Sequence, residues 1–171
     1  MPLTRCRECQ KEISTEANNC PYCGAPFPAR KKWQGWGFEY RSKQTFYGYP
    51  LLHVAFGRDA QNRIRVAKGV IAIGQFGIGL ITFAQFGIGI LFGFGQFILG
   101  LTGLAQFAVT GLFGIGQFAT GYIAVGQFAL GYYALAQLGF AKYLWSSGTA
   151  NPEAVEFFRQ MLQSVKDFLH L

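Results

Sequence analysis

The chain has 171 residues, 51% of them hydrophobic, and a formal net charge of +7. That is enough for one main core and a small satellite. Its two His, its four Cys confined to the first 23 positions and its scarcity of acidic residues leave no triad, carboxylate pair or phosphate-cradling loop, so an enzyme is not expected.

In chain order, residues 1–27 come first. Met1 to Cys6 offers no apolar core of a secretory leader. Cys6-x2-Cys9 and Cys20-x2-Cys23, ten residues apart, present four thiolates in the spacing of a structural Zn2+ ribbon. Four Cys close the coordination sphere and leave no place for a reactive water. The alternative is two disulfides in an oxidising compartment.

Residues 28–37 read as a basic, aromatic linker. Arg30, Lys31 and Lys32 stand beside Trp33 and Trp36, residues suited to anionic headgroups and the bilayer interface or to phosphate and base stacking. Between Gly24 and Lys68 lie nine basic and two acidic residues, so this segment alone carries +7. Residues 38–68 alternate like strands, with runs at 38–42, 51–56 and 63–66 and a turn at 57–62, and are read as a small β cap. His53 is read as packing or surface.

Residues 69–145 carry the repeat. From 69 to 141 there is no Lys, Arg, Asp, Glu, His, Cys or Pro. Gln75, Gln85, Gln96, Gln106, Gln117, Gln127 and Gln137 recur at ten or eleven residues, six of them followed by Phe. A five-residue sub-repeat sets apolar anchors between Gly or Ala. Five matches neither the helical turn nor the heptad, and Gly at this density opposes a helix. The expectation is a mainly β protein: a β-solenoid with Gly or Ala at corners and Phe97, which follows Gln96, buried inside. The single-residue insertions lie 21 apart, which favours a four-sided coil of 20–21 residues over a thin two-sided coil of ten. Since both strand faces are apolar, some apolar surface must remain outside, with Leu80, Ile90, Leu101, Tyr122 and Tyr132 as the expected outer contacts.

Units such as Ala84-Gln85-Phe86-Gly87-Ile88 and Ala105-Gln106-Phe107-Ala108-Val109 resemble pentapeptide-repeat proteins. The resemblance implies a right-handed, four-sided β-helix of about 20 residues per coil. The chain departs from that pattern in placing Gln or apolar residues where the family commonly has Asn or Asp. It lacks the acidic surface on which the family's gyrase protection rests. The layout from the four-Cys ribbon through Tyr49–Arg58 to Arg65–Gly74 resembles a group of uncharacterised bacterial zinc-ribbon proteins with Gly-x-Ile-Ala-Ile repeats.

Residues 151–171 form the last element. Asn151 is an N-cap, Pro152 suits the first turn, and Val155, Phe158, Leu162, Val165 and Phe168 line one face of an amphipathic helix. The expected role is structural, with the apolar repeat meeting membrane lipid or other copies of the chain. Such a protein would sit in the cytoplasm, at the inner face of the membrane or embedded in it. A soluble module that binds nucleic acid or protein through the ribbon and basic linker is the alternative. No small-molecule substrate is expected.

Overall fold

A computed structural model describes residues 2–29 and 35–169. It is mainly β, with one C-terminal helix. A short antiparallel hairpin, β1 (Leu3–Arg5) and β2 (Glu12–Ser14), opens the chain. The β cap follows: β3 (Trp36–Arg41), the small hairpin β4 (Thr45–Phe46) and β5 (Tyr49–Pro50), then β6 (Leu52–Arg58). β3 pairs antiparallel with β6, and β6 pairs parallel with the start of β7 (Val66–Trp145), Leu52 opposite Ile71 and Ala55 opposite Gly74. The strand expected at 63–66 is reduced to one bridge between Arg58 and Ile64 before β7 begins.

β7 is 80 residues of unbroken extended backbone. A straight strand of that length would reach about 260 Å. Instead the chain returns beside itself. Phe76 stacks on Phe86 at 5.5 Å, Phe107 on Phe118 at 5.9 Å, Phe118 on Phe128 at 5.5 Å and Tyr122 on Tyr132 at 4.9 Å. Thr110 and Thr120 exchange hydrogen bonds with each other's backbone. The neighbour interval is therefore ten or eleven residues. The 20–21-residue, four-sided coil is corrected on this point, because in it residues ten apart would lie on opposite sides of the interior.

The packing is inside out relative to expectation. Ala72, Ala108, Ala119, Ala124, Ala129 and Ala134 are fully buried, with Thr82 and Ile98 as the largest inward side chains of the repeat. Phe97, expected inside, is 42% exposed, and Phe86, Phe94, Phe107 and Phe140 are exposed as well. The backbone comes too close on the buried side for large side chains, so the large ones turn outward. Where an inner residue is larger, glycine faces it. A Cβ on Gly93 would stand 2.3 Å from Ile98 Cγ2, and one on Gly87 2.6 Å from Thr82 Cγ2. The glycines therefore serve close approach; within β7, Gly121 has the one positive φ.

Two elements close the ends of β7. The cap covers its beginning through β6. The buried His53 sets Nδ1 2.8 Å from the Lys68 amide and 3.1 Å from the Lys68 carbonyl, and Nε2 3.3 Å from Arg41 Nε and 3.4 Å from Glu39 Oε1. Arg41 and Arg65 both donate to the same carboxylate. Partial desolvation opposes ionisation of Glu39, but Arg41, Arg65 and His53 outweigh it and hold the carboxyl below its ordinary value. A lowered folded pKa means stability present above the ordinary carboxylate range and lost as pH falls through the lowered value. Glu39→Gln should cost about 1 kcal/mol at neutral pH, modest because solvent screens the site. It should also flatten the acid limb of a stability-versus-pH curve from chemical unfolding.

At the far end, α1 (Pro152–Leu169) is capped by Asn151, whose Oδ1 accepts from the amides of Glu153 and Ala154. Its first half lies on β7, with Ala154 and Phe158 buried and Phe157 stacked on Tyr133 at 4.2 Å. Its second half leaves Leu162, Val165, Phe168 and Leu169 exposed.

Candidate metal centre and apolar surface

The four Cys meet at one point. β1 and β2 bring Cys6 and Cys9 up on a turn in which the Gln10 amide donates to Cys6 O, with Gln10 in the left-handed region. Cys20 and Cys23 sit on a second such turn, closed by the Gly24 amide on Cys20 O, where Gly24 takes the same conformation without a Cβ penalty. The four sulfurs all lie within 4.8 Å of one another. Cys6 Sγ to Cys23 Sγ is 3.8 Å and Cys9 Sγ to Cys20 Sγ is 3.6 Å, far beyond a disulfide bond. Four thiolates about 2.3 Å from one tetrahedral ion would stand roughly 3.8 Å apart, so the residues present fit a metal. Ile13 is buried behind them, with Ala25 and Ala29 packed alongside.

The electrostatics fit a cation too. Backbone amides of Cys9 and Glu8 pull the Cys6 thiol down to about 6. The Ala25 amide favours the Cys23 thiolate, but desolvation and the neighbouring sulfurs push that thiol up to about 12. Four negative sulfurs this close need a positive charge among them.

The remaining sites expected from the sequence are distributed as follows. Arg30, Lys31, Lys32 and Trp33 lie outside the described residues. Trp36 is exposed at the start of β3. Ile90, Leu101 and Tyr122 are exposed, and Leu80 and Tyr132 half-buried, along β7. They are part of a far wider apolar surface. Ile78, Phe83, Ile88, Phe94, Leu99 and Ile115 are also exposed.

Three features escape a reading of the repeat alone. The β4–β5 hairpin overhangs the start of β7 and closes an apolar cleft of about 480 Å³, lined by Phe46, Tyr47, Tyr49, Lys68, Val70 and Leu80. Lys142 donates to Tyr132 Oη at 3.1 Å and lies over the rings of Tyr132 and Tyr143. Glu39, His53 and Arg65 tie the cap together over 26 residues of sequence. A spacing signal existed for the second, since Lys142 follows Tyr132 by the repeat interval; for the third the sequence offers none.

Among the described residues, no helix is long and apolar enough to cross a membrane. No family model matches the chain. No solved structure matches it. A 27-residue segment, 16% of the chain, is 63% identical to part of an uncharacterized protein of Haemophilus influenzae and spans 36% of that protein's length.

Proposed function

We propose that this is a non-enzymatic structural protein whose β7 winds as a β-solenoid of ten- or eleven-residue coils and meets membrane lipid with its outer faces, anchored to a structural Zn2+ ribbon. The observation that carries the proposal is the inverted packing: Ala, Gly and Thr inside, Phe, Ile and Leu outside. A water-facing protein loses solubility with such a surface, since monomers in water rarely expose contiguous apolar patches beyond a few hundred Å2. Acyl chains impose no such cost. The ring ladders at the repeat interval and the parallel pairing of β6 with β7 support the solenoid. A set of four thiolates with sulfurs 3.6 Å and 3.8 Å apart favours zinc at the ribbon.

Fractionation of expressing cells tests the proposal. The full chain should stay with membranes through high-salt washing and be released by detergent. Replacing Leu80, Leu101 and Tyr122 together with Ser should shift it toward the aqueous fraction without loss of β circular dichroism. A wild-type chain that is a dispersed monomer in detergent-free buffer would overturn the lipid proposal, and salt-sensitive DNA or RNA binding by that monomer would favour the basic segment as the working surface. Detergent-resistant filaments in place of membrane partition would favour self-assembly.

A further inference from the structure

Resting on the lipid-contact proposal, we infer that β7 crosses the bilayer from one side to the other, its coil axis along the membrane normal, with the β cap at one interface and α1 at the other. Three independent distributions coincide on that axis.

The first is charge. No Lys, Arg, Asp, Glu or His lies between Lys68 and Lys142, while Arg41, Arg58, Arg63, Arg65 and Lys68 crowd the cap and Lys142, Arg159 and Lys166 the far end. The second is the kind of aromatic residue. Between Pro50 and Gly121 there is no Tyr or Trp, only Phe. Tyr and Trp stand in the cap (Trp36, Tyr40, Tyr47, Tyr49) and again on the last coils (Tyr122, Tyr132, Tyr133, Tyr143, Trp145). Rings with a polar tip at both ends of a Phe-filled interval are the pattern of two membrane–water interfaces. Lys142 over Tyr132 and Tyr143 is one such belt in atomic detail.

The third is length. From Gln75 to Gln137 there are six repeat intervals, the last two carrying Tyr122, Tyr132 and Tyr133, and at ~4.8 Å each they rise about 29 Å. The hydrocarbon layer is about 30 Å thick. A chain lying flat on the surface would have no reason to match that figure or to carry a belt at each end.

Hydrocarbon tolerates only backbone whose N–H and C=O groups are paired within the protein. Coils stacked along an axis meet that condition at every level except the first and the last. β6 pairs with the first edge over residues 71–74, and α1 lies against the last coils through Phe157 on Tyr133; in this orientation both edges lie at headgroup depth. The exposed apolar second half of α1, Leu162 to Leu169 with Arg159 and Lys166, then rests in the interface as amphipathic helices do. The Gln row is the one polar line on the lipid-facing surface.

Trypsin decides it with the unaltered protein, because β7 contains no cleavage site from 69 to 141. Sealed right-side-out and inverted vesicles from expressing cells are digested, and peptides are read by mass spectrometry. The expected result is loss of the cap sites (Arg63, Lys68) in one vesicle type and of the α1 sites (Arg159, Lys166) in the other, with both lost only when detergent opens the vesicles. Cleavage of both ends in the same sealed vesicle type overturns the crossing and leaves the lipid-contact proposal standing. A chain absent from the vesicles overturns both. If folding shields either end in detergent, Ala60→Cys and Ser147→Cys labelled with a membrane-impermeant sulfonated maleimide, read by mass spectrometry at the introduced cysteine because the ribbon has four thiols of its own, give the same reading at two exposed positions. Labelling from opposite sides supports the crossing, and labelling from one side overturns it.

Discussion

Ile98→Ala should lower the unfolding free energy of the full chain by about 3–4 kcal/mol, whereas Phe97→Ala, one position away, should cost about 1 kcal/mol. The two side chains point to opposite sides of one strand. Ile98 is fully buried and fills the space left by Gly93 and Gly103, with its Cδ1 reaching toward Gly95. Removing it leaves a void between backbones that cannot collapse further, since glycine already faces it. Phe97 is 42% exposed and stacks on Phe86 with centroids 6.4 Å apart, so its removal forfeits one edge of a ladder. Chemical unfolding in the detergent that keeps the chain dispersed, followed by circular dichroism, measures both. A larger loss for Phe97→Ala than for Ile98→Ala would mean that the large side chains face inward and would undo the inverted packing.

Cys20→Ser should abolish stoichiometric metal binding. One of four ligands is lost from a site in which the sulfurs already stand at coordinating separation. Groups that merely orient a ligand are worth about 10–100-fold in affinity, so a ligand itself is worth more. Elemental analysis of the purified wild type should find about one equivalent of metal and the variant a small fraction of one. The ribbon core is small: Cys6, Ile13 and Cys20 are its buried residues. Without metal, residues 2–29 should become protease-sensitive while the β signal of β7 persists, because Ala119, Ala124, Ala129 and Ala134 form a separate core. Retention of full metal content by Cys20→Ser would remove Cys20 from the site.

Much of this architecture was legible in the residues, for identifiable reasons. The Cys-x2-Cys pairs constrain local turns, and local turns are what a linear sequence reports best. The N-cap Asn151 and the apolar positions of α1 are local as well, and both stand where expected. Periodicity announced extended structure across β7. It could not announce direction. In a repeat whose both strand faces are apolar, alternation does not say which face is inside, and residue size was read as preference for the interior. The deciding quantity is how closely the backbones approach on the buried side, where a Cβ on Gly93 would already stand 2.3 Å from Ile98 Cγ2. The same ambiguity doubled the coil: insertions 21 residues apart point to a 20–21-residue unit, whereas Ala84 and Gly95 are neighbours across one repeat interval, with a Cβ on Gly95 falling 1.6 Å from Ala84 O. The cap node was illegible for another reason. Glu39, His53 and Arg65 are brought together by strand register, and register across 26 residues leaves no mark on composition.

Because the contacts along β7 join residues ten or eleven apart, the polypeptide never has to find a distant partner once the cap is in place. Contact order is low, which places such a chain among the faster-winding β proteins despite its strand content. In the proposed solenoid each coil depends on its immediate neighbours, so order spreads from one coil to the next. Winding can then keep pace with synthesis, the ribosome delivering one coil's worth of chain every second or so at ~5–20 residues per second. It follows that the proposed solenoid is adjustable in quanta. Deleting or duplicating one repeat interval preserves every register above and below it and alters the height by a single ~4.8 Å step, giving the gene a way to gauge length that few β folds possess.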